Sequence, residues 1–238
     1  MLDHLKAWFV SFGDQFYVNF IEKDRWKYLT EGLGTTILIT FFALIIGVAL
    51  GFLIALVRVT HDRTGKVGFL NAVCKLYLTV VRGTPVMVQL LIIYFVIFGS
   101  VAISKIFVAI VAFGLNSAAY VAEIFRSGIM SIDAGQMEAG RSLGMNYSQV
   151  MWRIIMPQAV KNILPALGNE FIVLVKETSI SGYIALQDLT KGGDIIRSQT
   201  YNAFMPLIAV ALIYLLVVLI LQAGVNRLER RLSRSDRS

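Results

Sequence analysis

Apolar residues in this chain come in long blocks, not at the two-residue period of a strand or on the single stripe of a soluble surface helix. The run from Leu33 to Val57 is nearly unbroken. At about 1.5 Å per residue it is long enough to cross a hydrocarbon core of about 30 Å. Four more apolar runs begin at Val86, Val101, Asn162 and Tyr201 and end at Phe98, Phe113, Leu186 and Val225. The pattern predicts an all-α integral membrane protein with five transmembrane helices. Val67 to Val81 contains Asn71 and Lys75 and predicts a helix that is partly interfacial or buried among neighbours. Arg82-Gly83-Thr84-Pro85 breaks it, because the residue before a proline is driven toward extended backbone. Ahead of the first run, Leu5, Trp8, Phe9, Phe12, Phe16 and Phe20 recur at three- and four-residue steps. Residues 1–31 therefore read as an amphipathic arm, lying along the bilayer or docked on the other helices. Gln187 to Thr200, with two glycines and balanced charge, reads as an exposed loop, and residues 227–238 as a soluble basic tail.

One sizeable polar island, residues 135–159, still carries a folding pattern. Ser131 to Leu143 predicts a short helix with Glu138 and Arg141 on its wet side, and Gly144 supplies the left-handed residue that turns the corner. Asn146 or Ser148 can cap a second helix, on which Met151, Trp152, Ile155 and Met156 form an apolar stripe. Pro157 is expected to end or kink it, since proline lacks the amide hydrogen of the ladder. Ala139 and Gly140 beside Glu138 are small enough for another protein's surface to approach the backbone closely. The segment thus predicts a docking hairpin.

Composition agrees with a membrane protein: 57% of the 238 residues are hydrophobic and the mean hydropathy is +0.71. The net charge of +7 does not point to nucleic acid, because the basic residues sit at the ends of apolar runs. Five Lys/Arg lie from Arg58 to Arg82, four from Glu123 to Lys161 and five after Val225, and five helices put these three segments on one side. By the positive-inside rule that side is cytoplasmic and the N-terminus is outside. The arm, with four Lys/Arg against five acids, agrees. The start MLDHLKAWFVSF lacks the basic start and small-residue cleavage site of a signal peptide, so no cleaved presequence is expected. The one cysteine, Cys74, excludes an internal disulfide and reads as a small apolar filler. His4 and His61 cannot build a buried metal site alone. No phosphate-binding G-x-x-x-x-G-K-[ST] loop, Ser-His-acid set or metal cluster appears, which argues against an enzyme and against any cofactor in this chain.

Polar groups at membrane depth are expensive and face a protein interior or a water-filled cavity. Gln89 is either a packed amide bonding a neighbouring helix or part of a path through the protein. Asn116 and Tyr120 share a helical face with Glu123, which with Arg126 reads as a structural ion pair. Lys176 and Glu177, adjacent, project in different directions and cannot simply neutralise each other. Gly47 and Gly51, four apart, permit close helix packing.

The order Glu138, Ala139, Gly140, then Gly144, then Ile154 and Pro157 resembles the EAA signature of ABC importer permeases, with Gly140 in place of the second alanine and Met156 in place of leucine. Three further stretches resemble the polar amino acid branch of that family, the histidine, glutamine and arginine permease type. They are Arg82-Gly83-Thr84-Pro85 followed by Gln89, Asn116 to Ile129, and Asn169 to Ser181 with its Lys-acidic-Thr-Ser set. The resemblance implies a type I transmembrane domain over residues 32–226, with 135–159 as a cytoplasmic coupling segment. It implies two ATPase subunits carrying ATP and Mg, a second permease chain, identical or closely related, and an external amino-acid-binding protein at a bacterial plasma or inner membrane. Alternating access would then carry a polar amino acid inward, past Gln89, Asn116, Tyr120, Glu177 and Ser179, with Glu177 or Ser179 facing the path or joining a satisfied interhelical network. The competing expectation is a secondary transporter driven by an ion gradient, using Glu123 or Glu177 as its ion site.

Overall fold

The computed structural model describes residues 12–234. Leu5, Trp8 and Phe9 of the expected arm lie outside the described residues. From Trp26 onward the described α-helices are, in chain order, α1 (Trp26–Thr64), α2 (Gly68–Gly83), α3 (Val86–Leu91), α4 (Lys105–Met130), α5 (Ala134–Ser142), α6 (Tyr147–Val150), α7 (Met156–Glu177), α8 (Leu189–Thr200) and α9 (Phe204–Arg234). Among the described residues there is no strand.

α1 overruns the expected Leu33–Val57 at both ends. Its buried residues, among them Gly32, Thr36, Ala43, Gly47, Gly51, Ala55 and Val59, form one narrow stripe of small side chains. Against that stripe lies α4. A Cβ at Gly47 would stand 2.8 Å from Ser117 Oγ, and one at Gly51 2.7 Å from Val121 Cγ1, so both glycines are what allows the two backbones to meet. Of the expected span Val101–Phe113, the part from Lys105 onward opens α4, which runs without a break past Asn116 and Ser117 to Met130. Intrahelical bonds satisfy its backbone, so polar side chains in the run do not end it.

α2 and α3 meet at the expected break, with Thr84 extended (φ −123°, ψ 147°) and the helices bent by 108°. A π-helical turn, Ile92–Ile97, continues α3. By length and apolarity α1, α4 and α9 can each cross a membrane, and α2 with α3 and its π turn can do so as one bent pair. α7 packs on α4 and α9 and ends in a 3-10 segment, Thr178–Ile184.

Two segments differ from the sequence reading. Gln187 to Thr200 is not an exposed loop: Leu189–Thr200 is helix α8, with Leu189, Gly192, Gly193 and Ile196 buried. Those residues recur at three- and four-residue steps, and here the glycines are contact points, not breakers. A Cβ at Gly192 would fall 2.3 Å from the Tyr28 carbonyl oxygen, and one at Gly193 2.4 Å from Val210 Cγ2. The basic tail, as far as Arg234, is the last part of α9 rather than a separate segment. The described part of the arm docks on α8. Arg25, 5% exposed, donates to Gln199 Oε1 at 3.2 Å, to the Val18 carbonyl and to the Glu22 carboxylate, and Thr200 donates to Asn19 Oδ1 at 2.9 Å.

Candidate coupling hairpin and membrane polar layer

The hairpin closes on itself by local chemistry. Asp133 caps α5 by accepting from the Gly135 amide at 2.6 Å. At the other end Gly144, at φ +82°, turns the chain while the amides of Gly144 and Met145 bond to the carbonyls of Arg141 (2.9 Å) and Gly140 (3.2 Å). Asn146 caps α6 in a reciprocal pair. Its Oδ1 accepts from the Gln149 amide and Gln149 Oε1 accepts from the Asn146 amide, both at 2.9 Å.

Pro157 does not end the second helix. A π-helical turn, Met151–Ile155, precedes it and α7 continues through it. The wider turn gives the ring room and absorbs the missing donor, so the proline occupies the first turn of a continuing helix. Met151 and Ile155 of the expected stripe are buried with Met137, Val150, Phe125 and Ile129, whereas Trp152 is 56% exposed.

The six signature residues divide by direction. Glu138, Ala139, Gly144 and Pro157 are exposed, Ile154 is half-buried and Gly140 is buried. Gly140 is covered by its own chain, a Cβ there falling 2.8 Å from Val150 Cγ2 and 3.1 Å from Ile154 Cδ1. Its small size therefore serves closure of the hairpin and not, as the sequence suggested, approach by another protein. Leu143, which the sequence reading gave no role beyond ending the first helix, is 82% exposed at the corner.

The polar layer is built differently. Gln89 Nε2 donates toward the Val81 and Thr84 carbonyls and Thr84 Oγ1, at 2.8, 3.0 and 2.8 Å, and Gln89 Oε1 accepts from Asn116 Nδ2 at 2.9 Å. It is thus a packed amide that satisfies carbonyls opened by the bend at Pro85. Asn116 is 2% exposed, and its Oδ1 is buried with no protein partner. Tyr120, four residues on, is 38% exposed and carries the Arg82 guanidinium 5.8 Å from its ring centre. Glu123 and Arg126 form the expected ion pair, Arg126 Nε lying 3.1 and 3.2 Å from the two carboxylate oxygens. Both oxygens of Glu123 are therefore engaged by a cation of the same helix.

Glu177 is half-buried at the end of α7, and among the described residues neither it nor the exposed Lys176 has an ion-pair partner. Ser179 lines a cavity of about 430 Å³ with Thr190, Lys191, Asp194 and Arg197. There Lys191 and Arg197 hold the Asp194 carboxyl below the usual carboxylate range. Of the five candidate path residues, then, hydrogen bonding joins only Gln89 and Asn116.

Two buried carboxyls carry more than the sequence reading assigned them. Ser117 Oγ donates to Glu170 Oε1 at 2.7 Å, with Ser117 fully buried and Glu170 8% exposed. An acid alone in an apolar run was the available signal, since such a group needs an interhelical partner. Asp188, fully buried, caps α8 by accepting from the Lys191 and Thr190 amides at 2.9 and 3.3 Å. Burial pushes its pKa up to about 6 despite those bonds. Its carbonyl rests where a Gly32 Cβ would stand, 2.4 Å away, and Thr36 Oγ1 accepts from the Leu189 amide at 3.2 Å.

Residues 47–234 match the family of binding-protein-dependent transport system inner membrane components. The chain is 40% identical over 211 residues to the arginine transport system permease protein ArtQ of Bacillus subtilis (strain 168), covering 88% of this chain and 94% of that one. It is 34% identical over 235 residues to the L-cystine transport system permease protein TcyB of the same organism, covering 98% and 97%. A solved amino acid ABC transporter, crystallised with histidines, superposes at a TM-score of 0.81 with 43% identity, over 89% of this chain and 98% of that one. A long helix sharing a glycine seam with its neighbour, a bent helix pair and a hairpin wedged against them thus occur in a chain that belongs to the binding-protein-dependent transport system inner membrane components, as the permease subunit of an ABC importer.

Proposed function

We propose that the importer carries a polar amino acid into the cell, and that residues 135–159 dock on its ATPase. Relatives named for arginine and L-cystine transport, and a structural neighbour crystallised with histidines, support the substrate class. Five spans, with α7 as the fifth, put the N-terminus outside and the hairpin in the cytoplasm, in agreement with the charge count. Two such permease chains, two ATPase subunits holding ATP and Mg, and an external binding protein complete the assembly at a bacterial plasma or inner membrane.

The observation that carries the coupling role is directional. Gly140, Val150 and Ile154 face inward and make the hairpin rigid, while Glu138, Ala139 and Leu143 face outward at its tip. A rigid tip seated in an ATPase groove moves when the ATPase pair closes. The hydrophobic cluster it shares with Val121, Phe125 and Ile163 passes that movement to α4 and α7. Free energy reaches the membrane helices only to the extent that the tip binds the two ATPase states differently. The cavity then opens toward the loaded binding protein and, after hydrolysis, toward the cytoplasm. An ion-gradient carrier using Glu123 gains no support, because Arg126 occupies that carboxylate.

Glu138→Lys reverses the exposed charge without touching the hairpin interior. In proteoliposomes with the ATPase subunits and the binding protein, we expect the protein to insert and assemble but uptake to fall at least ten-fold per ATP hydrolysed. Normal uptake by this variant would remove the coupling role.

A further inference from the structure

Between α1 and α2 lies a second cavity of about 430 Å³, lined by Arg58, Lys75, Leu78, Thr79, Arg82 and Gly83. Lys75, Thr79 and Arg82 stand at i, i+4 and i+7, so one face of α2 presents two cations and a hydroxyl, and Arg58 faces them from α1. Arg58 Nε is buried with no hydrogen-bond partner. Among the described residues neither Lys75 nor Arg82 has a carboxylate within ion-pair distance, and the Arg82 guanidinium lies 5.8 Å from the centre of the Tyr120 ring. Glu123 is the acid facing Arg58 and Arg82 from α4, but its oxygens are engaged by Arg126, which Asp62 also faces. Three cations therefore converge on one cavity, and among the described residues no carboxylate lies within ion-pair distance of any of them, which leaves the cavity open to an anionic ligand.

The surroundings indicate which ligand. On α2, Phe69, Val73, Leu76 and Val80 follow one another at four- and three-residue steps and are 85, 48, 66 and 52% exposed; on α1, Leu53 and Leu56 are 56 and 48% exposed. A basic cavity with apolar side chains bare on both of its helices suits a ligand with phosphate oxygens at one end and hydrocarbon at the other. We propose that this cavity binds the phosphate group of an anionic phospholipid: Arg58, Lys75 and Arg82 hold the phosphate oxygens, Thr79 donates to one of them, and the acyl chains lie over the bare leucine and valine side chains. Free inorganic phosphate shares the headgroup chemistry but makes no use of the apolar flanks. The site does not depend on which amino acid is carried, and the orientation proposed above decides only that the leaflet is the cytoplasmic one.

The test uses the assembled transporter, permease with its ATPase subunits, in nanodiscs of phosphatidylcholine doped with phosphatidylglycerol. Lipid retained after detergent exchange is identified by native mass spectrometry. Wild type is expected to retain phosphatidylglycerol well above its bulk ratio, and Lys75→Gln and Arg58→Gln each to lower that retention about five-fold, the loss of one cation near an anionic headgroup. Arg230→Gln, at the far end of α9, should leave it unchanged. Retention at the bulk ratio by wild type overturns the proposal even if a variant fails to assemble, and so does unaltered retention in both variants. Displacement of the lipid by inorganic phosphate keeps the phosphate site but makes free phosphate its occupant, whereas resistance to phosphate assigns it to the lipid. Displacement by a free amino acid, through its carboxylate, overturns the proposal.

Discussion

The helix starts at Asn146 and at Asp188 use the same device and pay different electrostatic costs. Each follows a turn and places a side-chain oxygen on the amides of the next helix. Asn146 is exposed and neutral, and the Gln149 side chain completes its pair. Asp188 is fully buried and carries a carboxyl whose pKa is raised to about 6. A cap in water needs only its own residues, so the hairpin can be a rigid body that another protein moves. A cap buried against α1 needs its neighbours, so α8 is held in place by the seam at Gly32 and Gly192.

The largest effect expected from breaking that seam comes from Gly32→Leu. Its Cβ alone would meet the Asp188 carbonyl oxygen at 2.4 Å, and that backbone cannot turn aside as a side chain can. Thermal unfolding in detergent should show a loss of at least about 3 kcal/mol, the upper range for overpacking. A Cβ at Gly140 meets the movable ends of Val150 and Ile154, and the smaller change Gly140→Ala should cost about 1 kcal/mol.

Titration of Asp188 gives an effect of comparable size. Its folded pKa of about 6 lies above the ordinary 3.8, so between those values the folded state binds more protons than the unfolded one. Stability should therefore fall as pH rises from about 4 to about 6, by up to about 3 kcal/mol in all, and change little above that. Asp188→Asn keeps an oxygen for the Lys191 and Thr190 amides and cannot ionise. In that variant the slope between pH 4 and 6 should flatten, and an unchanged slope would show that another group titrates there.

Where the two regions differ in environment they also differed in how readily sequence disclosed them. The hairpin was legible because its signals are local: Gly144 at the corner, Asn146 with Gln149, and small residues between charged ones all act within a few positions. Pro157 reads as an end or a kink, and the helix continues through it only because a π turn upstream accommodates the ring, which nothing short-range announces. α8 was unreadable as a helix because Gly192 and Gly193 look like loop residues until Tyr28 and Val210 are seen against them. The same holds for Gln89, whose partners Val81 and Thr84 are near in sequence but reachable only after the chain bends by 108°. The five-block apolar pattern gave the membrane class, but the seams that set helix ends depend on partners far along the chain.

Interior pairs give a smaller effect. Ser117→Ala leaves the buried Glu170 without the hydroxyl that donates to it, and the cost should be about 1–3 kcal/mol in the same unfolding measurement. Glu170→Gln in the Ser117→Ala background should restore part of that loss, because a neutral amide tolerates burial better than a carboxyl short of a partner. A double variant no more stable than the single would mean that the hydroxyl contributes by packing against Gly47 and not by its bond.

Asn146→Ala should have the smallest effect. It removes the oxygen that holds the Gln149 amide at 2.9 Å, yet both groups sit at an exposed turn where water takes over the bond. A loss of about 1 kcal/mol is expected, typical of an exposed cap. Because Gly144 and the packing of Gly140 on Val150 remain, the fraying should stay within the first turn of α6, and hydrogen exchange should quicken at Gln149 while α5 is unchanged. Exchange that spread through α5 would mean that the hairpin opens as one unit at its corner, and a tip so easily opened could not transmit the movement of an ATPase to α4 and α7.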